Sequence, residues 1–178
     1  MKSQDIVVLA KLLSYERSNN NWSQSSLALE LCLSPSQVNY AFKRLLAAML
    51  IYKDRKDGNI KIRPVTQLCE EFFIHGFKFV FPPEFGTLTR GIPTAYAAPS
   101  LNKIICSSGN DPIPVWPHGE GTHRGTALMP LYHCVPESII KYPDPFFYDL
   151  LSLLDAIRSG RARERNIGAE KIVKMLRS

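Results

Sequence analysis

The sequence predicts an α+β fold, mainly helical, and three observations carry that reading. Residues 22–63 contain two short helical periods, a tight turn between them, and a hairpin pattern. Twelve of the 13 prolines fall between Pro64 and Pro145, so helical ends flank an irregular middle. Helical periodicity then returns after Asp144. Three parts follow: 1–76, helices and a hairpin; 77–135, a loop-rich region with short strands; and 136–178, the C-terminal helices. No internal repeat is visible.

The first helix is expected over Ser3–Ser18, where Ile6, Leu9 and Leu13 share a face that Val7 and Leu12 widen. Ser23 is placed to cap a second helix from Gln24 to Leu31, with Leu27, Ala28 and Leu31 as its buried stripe. The third helix has the clearest start. Ser34 is an N-cap, Pro35 suits the first helical position, and Gln37 completes a capping box. Val38, Ala41, Phe42 and Leu45 make its inner face. Leu50–Lys53 and Asn59–Arg63 read as strands joined at Asp57-Gly58. A fourth helix is expected over Thr66–His75.

Residues 77–135 show no helical period. They are read as loops and short strands packed on the N-terminal part or on a partner subunit, with DPIPVWPHGEGTHRG as a polar loop or hairpin. Pro136–Lys141 reads as a short turn. Asp144 and Pro145 start a helix to Arg158, and Arg161–Leu176 forms the last.

Composition excludes several classes. No run approaches the roughly 18 apolar residues of a membrane helix. Asp5, Glu16 and Arg17 interrupt the N-terminal apolar stretch, which argues against a secretory signal. Cys32, Cys69, Cys106 and Cys134 form no CxxC pair, so reduced thiols and a cytoplasmic location are expected. The net charge is +6. Residues 1–64 hold 10 Lys/Arg against 5 Asp/Glu, a net of +5, while residues 65–178 hold 12 against 11, a net of +1. The positive excess lies with the paired helices and hairpin, and phosphate attraction is its natural use.

The chemistry concentrates on the third helix. Its outer face presents Ser36, Asn39, Tyr40 and Lys43, with Gln37 and Arg44 at the flanks. Free amides at Ser34–Ser36 suit a phosphate. Asn39 or Gln37 can pair with adenine, and Lys43 or Arg44 can read guanine or bind phosphate. Tyr40 suits a thymine methyl or a sugar. Arg55, Lys56 and Lys61, on or beside the hairpin tip, suit the minor groove or the backbone. The candidate DNA-binding set is therefore Ser34, Ser36, Gln37, Asn39, Tyr40, Lys43, Arg44, Arg55, Lys56 and Lys61.

The stretch SSLALELCLSPSQVNYAFKRLLAAMLI resembles the helix-turn-helix of winged-helix transcriptional regulators, especially the multiple-antibiotic-resistance repressor type. The resemblance covers about residues 4–64, through Leu27-Ala28, Leu31, Leu33-Ser34-Pro35-Ser36, Val38, Ala41, Arg44-Leu45 and the hairpin after Ile51. Cys32 departs from it, standing where such turns often hold Gly. The resemblance implies a winged helix-turn-helix binding double-stranded DNA, in a homodimeric regulator, most simply a repressor. Pairing is expected through the first helix and the C-terminal helices, whose apolar stripes need burial either there or within one subunit. The alternative is an antitoxin-like or adaptor protein that holds a partner protein through its middle or C-terminal region.

Other residues carry less. His118, His123 and His133-Cys134 match no zinc spacing, so no metal and no cofactor is expected. Cys69 and Cys106 read as core-filling residues. Gly119–Gly125 lacks a phosphate-loop ending and reads as a turn. Glu70-Glu71 and Asp149/Asp155 read as solvated helix charges, and no catalytic constellation emerges. Arg90 either anchors its loop by bonding carbonyls, the favoured reading, or contacts DNA or a ligand. Arg161, Arg163 and Arg165 read as a solvated basic helix face.

Overall fold

The computed structural model describes all residues except 57–58, 103, 105–111 and 178, and the side chains of Lys56 and Asn59 are likewise outside the description. The expected Asp57-Gly58 turn and Cys106 lie outside the described residues. The α+β, mainly helical class holds. Helices α1 (Ser3–Ser18), α2 (Gln24–Glu30) and α3 (Pro35–Ala47) lead into strands β1 (Ile51–Lys56) and β2 (Asn59–Pro64). Helix α4 (Thr66–Glu71) runs through a π-helical turn (Phe72–Gly76) into α5 (Phe77–Val80). Strand β3 (Phe85–Pro93), a 3-10 turn (Ala95–Ala97), β4 (Pro114–Pro117) and β5 (His123–Leu128) form the middle. Helices α6 (Val135–Lys141), α7 (Pro145–Ser159) and α8 (Ala162–Arg177) finish the chain.

Most expected elements form at the expected places because their caps are real. Ser23 Oγ accepts from the Ser26 amide, Ser34 Oγ from the Gln37 amide and Asp144 from the Phe147 amide, which satisfies the free donors of α2, α3 and α7. One boundary moves. Residues 77–80 are helical, not irregular. The π-helical turn shifts the register of the fourth helix so that Phe73 and Phe77 both point into the core, with ring centroids 6.2 Å apart.

Helix α1 is the central element. Every residue from Gln4 to Tyr15 is buried, not only one stripe. Helix α3 packs on one side of it and α7, about 140 residues later, on another. Lys11 is buried among these helices, 2.9 Å from both Glu30 of α2 and Asp144 at the start of α7. One continuous apolar core includes Leu9, Leu45, Phe77, Trp116 and Leu150, and so runs through all three parts of the chain.

The middle strands close on themselves. Strand β3 is antiparallel to both β4 and β5, with Gly91 opposite Pro117 on one side and His123 on the other. Bridges from Pro114 to Thr126 and from Val115 to Ala127 join β4 to β5 in parallel. Such tight closure needs bare backbone: a Cβ at Gly91 would strike the Trp116 carbonyl, and one at Gly125 the Ile113 carbonyl.

Asp155 locks these strands to α7. It is buried rather than solvated, accepting from Thr94 Oγ1 at 2.8 Å, Trp116 Nε1 at 2.6 Å and Arg158 Nε at 2.7 Å. Arg158 then donates to the Met129 carbonyl at 2.5 Å. Burial pushes the Asp155 carboxyl above its ordinary range, against the pull of Arg158, Thr94 and Trp116. Among the described residues, no helix is long and apolar enough to cross a membrane.

Candidate nucleic-acid interface

Helix α3 is held from behind on every side. Val38, Ala41, Phe42 and Leu45 are buried. Trp22 stacks on Tyr15 (5.8 Å) and meets Phe42 edge-on (6.1 Å). Gln24 of α2 donates to the Pro35 carbonyl at 2.9 Å, fixing the angle between the two helices. The turn between them needs one residue in the left-handed region. That residue is Cys32, at φ 52°, where Gly would carry no steric cost.

The opposite face is open. Ser36, Asn39, Tyr40 and Lys43 are all exposed, and the Lys43 ammonium sits over the Tyr40 ring at 5.3 Å. That contact pre-orients a cation on the exposed face. These four residues are brought together as the spacing predicts.

Three flanking candidates have other partners. Arg44 turns inward. Its guanidinium forks onto Asp5 of α1, with Nη2–Oδ1 at 2.6 Å and Nε–Oδ2 at 2.8 Å, and Asp5 is fully buried. A buried carboxylate demands a fixed cation, so the bidentate pair turns Arg44 away from the exposed face of α3. Ser34 and Gln37 close the capping box: the Gln37 amide meets Ser34 Oγ at 3.2 Å, and the Ser34 amide meets Gln37 Oε1 at 2.8 Å. Gln37 Nε2 also reaches the Tyr132 hydroxyl at 3.3 Å. Both polar ends of Gln37 are thus engaged within the protein.

The hairpin is anchored through Arg63, which bridges Glu16 of α1 (2.5 Å) and Asp54 (2.9 Å). Arg55 and Lys61 are both exposed. The register pairs Arg55 with Ile60 and Lys61 with Asp54, so Arg55 and Lys61 lie on opposite faces of the ribbon. The strand backbone includes Lys56, whose side chain lies outside the description.

The surfaces expected to pair two subunits are covered. Helices α1 and α7 are buried within one chain. Helix α8 packs on α7 through Gly168 and Ile172, and Arg177 bonds Glu70 of α4 through two nitrogens, at 2.6 and 2.8 Å. Intramolecular packing thus satisfies the apolar stripes that motivated pairing.

Several structural residues escaped the sequence reading. Asp5 showed only as a charge near the N-terminus, and Asp155 as one acid in LLSLLDAI. A charge inside a continuous apolar run was the available signal for Asp155. Among the described residues, no group of three or more His, Cys, Asp or Glu could hold a metal ion. His118 instead meets Glu137 at 3.1 Å, and Cys69 and Cys134 are buried thiols that burial pushes up to about 12. No family model matches this chain, and no curated protein or solved structure is significantly similar to it.

Proposed function

We propose that this chain is a cytoplasmic, sequence-specific double-stranded DNA-binding protein of winged helix-turn-helix design, acting in transcription regulation as a repressor. In this reading α3 enters the major groove and the β1–β2 hairpin is the wing. One observation carries the proposal: a helix locked from behind by Phe42, Leu45 and the Arg44–Asp5 fork presents Ser36, Asn39, Tyr40 and Lys43 together to solvent. Asn39 reads adenine, Lys43 a guanine or a phosphate, and Ser36 a phosphate near the helix start. Arg55 and Lys61 flank the backbone from either side of the wing. A homodimer reading two half-sites belongs to this proposal, formed through surfaces other than α1 and α7. The reading assigns the chain no catalytic step.

Selection of bound fragments from genomic DNA, followed by anisotropy on the recovered site, tests the reading. Asn39→Ala is expected to cost about 1–3 kcal/mol on the recovered site and little on random DNA. Unchanged binding by both Asn39→Ala and Lys43→Ala would overturn the assignment of α3.

A second reading rests on a different surface. Phe79, Val80, Phe85 and Leu88 are 76%, 48%, 58% and 56% exposed, on α5 and the start of β3. Exposed apolar side chains of this size suit a partner protein, as in an antitoxin or adaptor. Retention of a specific partner by wild type, and its loss in Phe79→Ser/Phe85→Ser, would favour that reading.

A further inference from the structure

The β3–β5 ribbon places two arginines directly opposite each other. Arg90 pairs with Arg124 in the antiparallel register, and both are exposed. Among the described residues, neither side chain makes a hydrogen bond or an ion pair. The carbonyl anchoring expected of Arg90 is absent; only its backbone carbonyl is used, accepting from the His118 amide at 3.2 Å. Like charges directly opposite on paired strands destabilise a sheet, and Cβ atoms at such positions lie roughly 5 Å apart. An anion between the two guanidinium groups reverses that cost. Thr122 and His123 border the same depression, with Thr122 Oγ1 2.8 Å from His123 Nδ1. Hydroxyl, imidazole and two forked cations together match the oxygens of a phosphodiester.

The position of the pair relates it to α3. His118, bonded to the Arg90 carbonyl, meets Glu137 of α6 at 3.1 Å, and Glu137 meets Lys141 at 2.6 Å. The neighbouring Ser138 of α6 donates to the Glu30 carbonyl at the end of α2 (2.6 Å), beside the α2–α3 turn. Contacts through His118–Glu137 and Ser138–Glu30 thus connect the Arg90 backbone to the end of α2, just before α3. One turn of DNA spans about 34 Å, so a duplex seated on α3 runs past that helix onto neighbouring surfaces.

We propose that Arg90 and Arg124 form a second phosphate grip, holding the DNA backbone beside the segment read by α3. This rests on the DNA-binding reading above and adds to it a site in the middle region. The grip is sequence-independent. It makes the closed strands part of the DNA-binding surface rather than a spacer.

The test is fluorescence anisotropy of the full chain on a 30-base-pair duplex across a salt series, with thermal unfolding alongside. Arg90→Gln/Arg124→Gln is expected to weaken binding about tenfold on target and random duplexes alike. The slope of log affinity against log salt should fall in magnitude by about 2. Thermal stability should hold or rise, because a like-charge pair is removed. Unchanged affinity and slope in this variant, with Asn39→Ala weakened, would overturn the grip and leave the α3 reading standing. Loss in the arginine variant with Asn39→Ala and Lys43→Ala unaffected would support the grip and overturn the α3 reading. No wild-type binding to any duplex at low salt would overturn both. A fall in thermal stability matching the loss of binding would mean that the arginines are structural, which also overturns the grip.

Discussion

Replacing Arg44 with Met separates a structural role from a DNA-contacting one. The substitution keeps the length and apolar stem of the side chain but removes the fork on Asp5. Asp5 is fully buried and, among the described residues, then retains only the Lys2 backbone amide, at 2.7 Å. Stripping the partner from a buried charge costs about 3–5 kcal/mol. The Arg44 side chain is 28% exposed, so water reaches the vacated site and the lower end applies, about 3 kcal/mol. For a chain of this size that corresponds to a fall in Tm of roughly 6–12 °C. Urea unfolding at pH 7 checks the magnitude, with Asp5→Leu/Arg44→Met as the closing corner of the cycle. That double variant should regain most of the loss, because removing both charges leaves none unpaired. A loss below about 1 kcal/mol in Arg44→Met, with DNA binding sharply weakened, would refute the reasoning and return Arg44 to the groove.

Three further outcomes are expected. Burial pushes the Asp144 carboxyl up, but the Lys11 ammonium, the Phe147 amide and the Ser14 hydroxyl together hold it below its ordinary value. Its contribution is therefore full above the unfolded value near 3.9 and is lost as pH falls through the depressed folded value. Asp144→Asn should flatten the acid limb of urea midpoints below about pH 4. Gly125→Ala should cost at least ~2 kcal/mol by driving a methyl into the Ile113 carbonyl, whereas Gly119→Ala, which meets nothing, should stay within about 0.5 kcal/mol in thermal unfolding. Cys32→Gly removes a left-handed strain of ~1–2 kcal/mol and adds up to ~1 kcal/mol of unfolded-state entropy, so a net gain of about 0.5 kcal/mol is expected in chemical denaturation.

Helices α2, α3 and α7 were legible because local rules produce them. Ser23, Ser34 and Asp144 cap where a cap residue precedes an apolar period, and α3 shows the spacing of Val38, Ala41, Phe42 and Leu45 at once. The exposed set Ser36, Asn39, Tyr40 and Lys43 follows from the same period. The inward turn of Arg44, the bond from Gln37 Nε2 and the burial of Asp155 were not legible. Each is decided by a partner 39 or more residues away (Asp5, Tyr132 and Trp116), and spacing along one helix carries no information about them.

Sequence alone therefore determined the helical frame of this protein, the caps that start it, and the side chains on the outer face of α3, all short-range consequences of helical periodicity and hydrogen-bond satisfaction. Tertiary structure decided which charges stay free. It buried α1 on all sides by bringing α7 against it, drew Arg44 into Asp5, and set Arg90 against Arg124 through a strand register. The physical reason is that burial and pairing depend on neighbours distant in the chain. A charged side chain is a site or a strut according to what the fold places beside it.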